Sequence, residues 1–235
     1  MIARFAPRLQ ILPRAQRSLL PHLAPLRHLS WMLYSGTVIA LRLGHRPSVD
    51  FDFFHEAALD RPNLYQALPW LSRATVLQDS TDTFTVVVRG TPGAGVKLSF
   101  FGRIDFGRIG SPALTADGEL QVASMADLLS TKLKVVLQRV EAKDYRDIAA
   151  LLRARVGLAR GLAGARLLYG TAFQPSECLK ALVYFGGGDL NELDASVRRT
   201  LLTATRRVNG LPALTLASHS IGGQARRPAD ARAWR

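Results

Sequence analysis

Residues 33–54 read LYSGTVIALRLGHRPSVDFDFF, and this stretch decides the fold class. A short buried strand is expected at 31–34, overlapping the start of this stretch, and a turn of small residues is expected at 35–37. A helix is then expected from Val38 to Leu43, with Gly44 as its C-terminal stop. The stretch is thus expected to run from strand through turn and helix to a second turn and a second strand.

The strand that follows carries two carboxylates on one face. Val49, Phe51 and Phe53 are expected to point one way, with Asp50 and Asp52 together on the other side. Two carboxylates this close can share divalent cations, which stabilise the attacking and leaving oxygens of nucleotidyl transfer. The preceding turn offers backbone N–H groups to phosphate oxygens. This order favours a nucleotide site; the alternative is a solvated strand face beside an ordinary turn.

Composition and charge indicate an anionic partner. The chain has 31 Lys and Arg against 18 Asp and Glu, a net charge of +13, and its first 49 residues contain no acid. Such a balance is typical of proteins that bind nucleic acid or nucleotides. A hydrophobic content of 48% excludes general disorder. The single Cys178 excludes a disulfide framework and a cysteine zinc site.

The N-terminal segment imitates a transit peptide, because it is rich in arginine and free of acids. Four prolines interrupt any long amphipathic helix in it: Pro7, Pro13, Pro21 and Pro25. No apolar run in the chain reaches the ~18–20 residues of a membrane span. We therefore expect a short helix and loop leading into the domain of a cytoplasmic protein with no membrane contact. The alternative is a start codon assigned too early, with disordered leading residues.

The remainder divides into an α+β half and a helical half. Residues 56–72 predict a helix with breaks at its prolines, and 83–89 and 96–101 predict two strands joined by a Gly- and Pro-rich hairpin loop. Residues 125–155 contain neither Gly nor Pro, and further helices are expected after them. Three units follow from this pattern: an α+β core with a helical lead-in at 1–122, a helical part at 123–221 and a disordered basic tail at 222–235.

A second signal lies in residues 132–147. On one continuous helix at ~100° per residue, four cations would form a single stripe: Lys132, Arg139, Lys143 and Arg146. Asp144 would then fall within the apolar face and Asp147 at its edge. A buried carboxylate requires a partner, and the nearby cations can supply one. The alternatives are a solvated stripe and a purely structural ion pair, and a helix break near Glu141 would change the angles.

Together these segments resemble a known family. The stretch 33–54, the strand 96–102, the block 123–148 and the segment 179–185 are similar to the AbiEii/AbiGii toxin nucleotidyltransferases. The resemblance implies an α+β core like that of DNA polymerase β, with a helical C-terminal part. It also implies Mg²⁺, an NTP substrate, and nucleotide transfer to an RNA such as tRNA or to a protein. Family members act in toxin–antitoxin or phage-defence systems, so a cognate antitoxin is expected.

Carried over by position, the resemblance assigns roles to individual residues. The metal would be held by Asp50 and Asp52. The catalytic residues would be Asp50, Asp52, Lys132 and Asp147. The nucleotide and its phosphates would contact Ser35, Gly36, Thr37, Arg46, Ser48, Lys97, Arg139, Lys143 and Asp144.

One departure from the pattern concerns the third carboxylate of a polymerase-β-like site. The matching strand has Ser99 there, and a hydroxyl cannot act as the general base that a carboxylate could be. Neither Asp105 nor Glu119 is an obvious substitute. Two other hypotheses therefore stand beside the enzyme: a catalytically degenerate module that binds nucleotide or RNA, and a structural partner in a toxin–antitoxin pair.

Overall fold

The protein, as a computed structural model, is described over residues 2–89 and 95–222. Within this part of the chain eight strands form one mixed sheet. The strands are β1 (Ala3–Phe5), β2 (Met32–Leu33), β3 (Asp50–Phe54), β4 (Thr75–Ser80), β5 (Thr83–Val88), β6 (Val96–Phe101), β7 (Ala113–Thr115) and β8 (Gln121–Val122).

Nine α-helices lie before, between and after these strands along the described part of the chain. The α-helices are α1 (Arg14–Leu19), α2 (Pro25–His28), α3 (Ser35–Leu43), α4 (Arg61–Ala67), α5 (Met125–Val135), α6 (Ala142–Arg153), α7 (Leu158–Tyr169), α8 (Pro175–Val183) and α9 (Ala195–Arg206). Short 3₁₀ turns lie at Leu9–Ile11, Leu20–Leu23, Pro69–Arg73, Gly170–Ala172 and Leu190–Glu192. The expected α+β class is confirmed.

The strand order β1-β7-β8-β2-β3-β6-β5-β4 places β3 near the centre of the sheet. It pairs antiparallel with β2 and parallel with β6. Phe51 and Phe53 fill the core beneath it, at 0% and 1% exposure. A central strand with one buried face holds its register firmly, because a slip of one residue would expose both rings. The opposite face of β3 therefore presents its acidic side chains at a fixed position.

Several local predictions are confirmed. Strands lie at Thr83–Val88 and Val96–Phe101, and the loop between them falls mostly at 90–94, outside the described residues. Gly44 ends α3 in the left-handed region at φ 65°. The structure also shows that Ser124 caps the N-terminus of α5, because its hydroxyl accepts a hydrogen bond from the backbone N–H of Asp127.

Other predictions were wrong. Val49 precedes β3 and is 58% exposed, so it does not share the buried face with the phenylalanines. The small-residue turn at 35–37 is the first turn of α3. The N-terminal lead-in contains a strand as well as helices, because Ala3–Phe5 pairs in parallel with β7. The helix expected over 56–72 is confined to Arg61–Ala67 and a 3₁₀ turn.

The continuous helix assumed for the cation stripe is interrupted. It ends at Val135 and a new helix begins at Ala142, so the angles along one axis do not apply. Close packing holds the second half together: a Cβ on Gly161 would lie 2.6 Å from the Leu129 side chain. One buried apolar cluster includes side chains from both the sheet and the later helices. The unit boundary at 122/123 stays a prediction, and the expected disordered tail falls almost wholly on residues outside the described part.

Candidate active site

A cleft of about 520 Å³ opens over the acidic face of β3. Its size is within the range of small-molecule sites in proteins. Most of the predicted site residues line it: Ser35, Gly36, Arg46, Ser48, Asp50, Asp52, Lys97, Lys132, Arg139 and Lys143. Thr37, Asp144 and Asp147 are fully buried behind this lining. The sequence motifs, which are up to about a hundred residues apart, are thus brought to one place.

The carboxylates of β3 stand opposite two residues of β6. Asp50 pairs in register with Lys97 and Asp52 with Ser99. The Lys97 ammonium lies 3.1 Å from Oδ2 of Asp50, and both side chains are partly exposed. Asp52 makes no ion pair within the described residues. This acidic pair is therefore accessible from the cleft.

The N-terminus of α3 lies beside the acidic pair. The backbone N–H of Tyr34 donates to the carbonyl of Asp52 at 2.9 Å, which fixes the start of the helix against β3. Ser35 has φ 69°, a conformation that non-glycine residues rarely adopt. A Cβ on Gly36 would lie 2.5 Å from Nη2 of Arg46, so this position requires glycine while Arg46 keeps its place. The Arg46 guanidinium thus packs directly against the first turn of α3, and Ser35, Gly36 and Arg46 all line the cleft.

Thr37 has a structural position. Its hydroxyl lies 2.7 Å from that of Ser48 and donates to the backbone carbonyl of Asp50. With no exposed surface, Thr37 ties α3 to β3 and does not line the cleft. In this arrangement the Thr37 side chain cannot be reached from the cleft, so it cannot contact a triphosphate as predicted.

Two buried carboxylates on α6 organise the cations at the back of the cleft. The Lys132 ammonium lies 2.6 Å from Asp144 and 2.7 Å from Asp147. Arg139 donates to Asp144 through Nε at 2.8 Å. Asp147 receives two hydrogen bonds from Arg46, at 2.6 and 2.8 Å. The expectation that these acids recruit nearby cations is correct, even though the helix is not continuous.

His45 completes the surroundings of Asp147, with Nε2 2.7 Å from its Oδ1. Sequence reasoning missed both His45 and Arg46 as partners of this carboxylate, since they precede it by about a hundred residues. No local sequence pattern predicts a contact between residues so far apart in the chain. The only available signal was the resemblance, which had placed Arg46 among the phosphate-binding residues.

The pKa values of both acids reflect this environment. Burial alone would raise the pKa of Asp147, but the His45 hydrogen bond and the Lys132 and Arg46 charges hold it far below its ordinary value. Burial likewise opposes ionisation of Asp144, and Arg139 and Lys132 lower its pKa in spite of it. The Asp144 hydrogen bond in turn raises the pKa of Arg139. Both acids are therefore fixed negative charges and not proton donors.

The donor set of the cleft suits a magnesium ion. Mg²⁺ commonly takes one or two carboxylates and completes its shell with water and substrate phosphates. Asp50 and Asp52 supply such a pair next to a helix N-terminus that can hold phosphate. Within residues 2–89 and 95–222 no three His, Cys, Asp or Glu side chains come together as a metal cage. If a metal ion is bound here, Asp50 and Asp52 would hold it and its remaining ligands would come from outside the described residues.

Comparison with known sequences agrees with this geometry. A family model described as Nucleotidyl transferase AbiEii toxin, Type IV TA system, matches residues 20–207. The chain belongs to the AbiEii nucleotidyl transferase toxin family. The predicted family and the predicted class of enzyme are thereby confirmed.

A curated relative matches a shorter part of the chain. It is a protein of Aquifex aeolicus (strain VF5), described as uncharacterized, that is 32% identical over 123 residues. The match covers 52% of this AbiEii chain and 57% of the relative, so it extends over little more than half of either protein.

One solved structure supports the fold. An antigenic nucleotidyltransferase-like protein from Paracoccidioides brasiliensis has a TM-score of 0.51 at 17% identity, over 83% of this chain and 93% of its own. This likeness confirms the nucleotidyltransferase-like α+β fold. MenT4, a nucleotidyltransferase toxin from Mycobacterium tuberculosis H37Rv, has a TM-score of 0.42 at 14% identity, over 79% and 85% of the two chains. Among the described helices of this AbiEii chain, none has the length and apolar character to cross a membrane.

Proposed function

We propose that this chain is a Mg²⁺-dependent enzyme that transfers a nucleotide from an NTP to an RNA acceptor, with tRNA as the first candidate. The observation that carries the proposal is the acidic pair, Asp50 and Asp52, which lies in the cleft beside the first turn of α3. The net charge of +13 favours RNA over a protein as the acceptor. The labelling experiment described below also tests whether the acceptor is a protein.

In this proposal each group of the cleft has a separate task. Asp50 and Asp52 would hold Mg²⁺, which when bound neutralises the charge that develops on the phosphoryl oxygens. The backbone N–H groups at Ser35 and Gly36 would orient the triphosphate. Lys132, fixed by its two carboxylates, would place one positive charge at the same phosphates without a change of its own position.

The remaining cations would act at the rim of the cleft. Arg46 is held by Asp147, and Arg139 by Asp144, so both guanidinium groups are oriented before substrate arrives. Lys143 and Lys97 are about half exposed and can reach a phosphate by leaving their carboxylate partners. Ser48, whose hydroxyl contacts Thr37, would shape the floor of the phosphate site.

The acceptor hydroxyl must lose a proton, and the cleft offers few bases for it. Ser99 stands where a third carboxylate would be, opposite Asp52 in register. We therefore propose that Asp52, which has no ion-pair partner within the described part of the chain, positions the acceptor hydroxyl beside the metal, and that solvent water in the cleft accepts the proton. The buried acids cannot take this role, because their lowered pKa values keep them from accepting a proton.

Transfer of label tests the proposal. Purified protein, labelled NTPs, Mg²⁺ and total tRNA should yield labelled RNA, and Asp52→Asn should abolish the labelling. Asp79→Asn is the matched control, because Asp79 is 52% exposed and pairs with Arg61 on the outer strand. Labelling that survives Asp52→Asn would refute the site assignment. Label found on protein and not on RNA would refute the proposed acceptor.

A second candidate function is binding without transfer. It is favoured by Ser99, and by the ion pair of Lys97 with Asp50, which partly occupies the proposed metal site. Such a module would bind nucleotide or RNA in a salt-dependent manner and would keep this binding after Asp52→Asn. Tight binding by the unchanged protein, with no transfer to tRNA or protein, would decide for this candidate.

The biological role follows from the family description, which is that of a type IV toxin–antitoxin system. We propose a cytoplasmic toxin with a cognate antitoxin, and a role in phage defence. Induction should arrest growth, and Asp50→Asn together with Asp52→Asn should relieve the arrest. Absence of arrest by the unchanged chain would refute the toxin role, whereas arrest by the doubly substituted chain would show that toxicity does not depend on nucleotide transfer.

A further inference from the structure

The floor of the cleft changes character from one end to the other. Strands β3 and β6 pair residue by residue, so their cleft-facing side chains form three rows: Asp50 with Lys97, Asp52 with Ser99, and Phe54 with Phe101. Successive rows are about 6.7 Å apart, since a strand rises about 3.3–3.4 Å per residue. The floor therefore runs from charged through polar to aromatic.

The aromatic row packs against further aromatic rings. The rings of Phe54 and Phe101 meet edge to face at 5.3 Å, and both side chains are half-buried. Phe54 stacks on the buried Tyr34 at 4.7 Å with an interplanar angle of 14°. Phe106 packs edge-on against both Phe54 and Tyr34. Tyr34 and Phe106 thus hold the ring of Phe54, which in turn contacts Phe101, and both rings line the cleft.

The polar row has unused hydrogen-bonding capacity. Ser99 pairs in register with Thr85 of β5, and both line the cleft at 3% and 8% exposure. Neither hydroxyl makes a hydrogen bond within residues 2–89 and 95–222. Two free hydroxyls between a charged row and an aromatic row match the order of groups in a nucleotide: phosphate, sugar, base.

We infer that this floor is a nucleoside subsite. The Phe54–Phe101 pair stacks a nucleobase, and the Ser99 and Thr85 hydroxyls bond to the ribose. The phosphates lie at the Asp50 end, beside the first turn of α3. The inference rests on the proposed function and extends it, because it assigns base recognition to the rings and not to the basic residues. The nucleoside comes from the NTP or from the terminal nucleotide of the acceptor RNA.

Binding of NTP and of inorganic triphosphate to Phe101→Leu tests the inference. Stacking on an aromatic ring is worth ~1–3 kcal/mol per base, which corresponds to about 5- to 150-fold in Kd. We expect the Kd for an NTP to rise by at least about tenfold, with the Kd for inorganic triphosphate unchanged. Phe101→Tyr retains the ring and should bind like the unchanged protein. Phe185→Leu is the matched control, because Phe185 is half-buried outside the cleft.

Binding of tRNA to Phe101→Leu shows whether the nucleoside comes from the NTP or from the acceptor RNA. A rise in the Kd for tRNA, with the Kd for NTP unchanged, places the acceptor nucleoside on the rings. If the Leu substitution prevents folding, Phe101→Trp reports directly: NTP or tRNA should quench its fluorescence, and triphosphate should not. The inference is overturned if NTP and tRNA bind Phe101→Leu as tightly as the unchanged protein, or if the Trp variant is not quenched.

Failure of the inference differs from failure of the proposed function. A protein that transfers nucleotide while Phe101→Leu binds normally would overturn the stacking site alone. Ring-dependent binding without any transfer by the unchanged protein would support the stacking site and refute the enzyme.

Discussion

Substitution of Lys132 by Met is the most informative perturbation of this protein. One ammonium group contacts both buried carboxylates, at 2.6 Å from Asp144 and 2.7 Å from Asp147. Its own side chain is 7% exposed and both carboxylates are 0% exposed, so solvent cannot replace the lost charge. Met retains most of the apolar stem, and the change therefore removes charge with little loss of packing.

The expected loss in the free energy of unfolding depends on the cations that still pair with Asp144 and Asp147. Removing one partner of a buried ion pair costs about 3–5 kcal/mol, because the other charge is left uncompensated. Here Asp144 keeps Arg139, and Asp147 keeps Arg46 and His45. We therefore expect the lower end, about 3 kcal/mol. For a chain of this size that corresponds to a fall in Tm of about 6–12 °C.

Urea and thermal unfolding at pH 7 measure this loss. Lys180→Met is the matched control, since Lys180 pairs with Glu177 on the surface at 75% and 57% exposure. An exposed pair contributes only about 0–1 kcal/mol. A loss for Lys132→Met of less than about 1 kcal/mol, equal to that of the control, would refute the view that the buried acids depend on this cation.

Three further expectations concern stability and geometry. Gly36→Ala should displace Arg46, 2.5 Å from the new Cβ, and lower transfer activity with a Tm change of only a few degrees; unchanged kinetics would contradict this. Gly107→Ala should cost about 1–3 kcal/mol, because its Cβ would lie 2.2 Å from the Ser218 carbonyl, whereas Gly210→Ala, with open space around it, should not. The two buried α6 carboxylates have lowered pKa values, so their stabilising contribution should be complete above about pH 4 and be lost as the pH falls further; an unfolding free energy that stays flat from pH 5 to pH 2 would contradict this.

Local patterns predicted the elements that surround the site. The alternation at 49–53 marked β3, and Gly44 marked the end of α3, because each signal is complete within a few residues. The strands that were missed carry no such signal. β8 has two residues and β1 and β7 have three, too few for any periodicity. β4 is an edge strand whose side chains are all exposed, so it lacks a hydrophobic alternation.

The sequence predicted most of the residues that line the cleft, but it did not predict how their side chains pair with one another. A buried carboxylate such as Asp144 needs a cationic partner whatever the geometry of the helix. The expectation that Asp144 pairs with nearby cations is therefore correct even though the helix is broken between α5 and α6. The pairing of Asp147 with Arg46 spans 101 residues and depends on how α6 packs against α3. Tertiary packing of this kind leaves no trace in a single sequence.

The charge of the cleft differs from that of the chain. Five cations are set against five carboxylates there: Arg46, Lys97, Lys132, Arg139 and Lys143 against Asp50, Asp52, Glu141, Asp144 and Asp147. The cleft is thus close to neutral, and the excess of +13 lies elsewhere on the chain. Under the proposed function, long-range attraction of RNA would therefore come from outside the cleft. A divalent ion on the acidic pair would turn the cleft positive, and would release Lys97 from Asp50 to meet a phosphate. Under the proposed function, affinity for RNA and affinity for the triphosphate would accordingly have separate electrostatic origins.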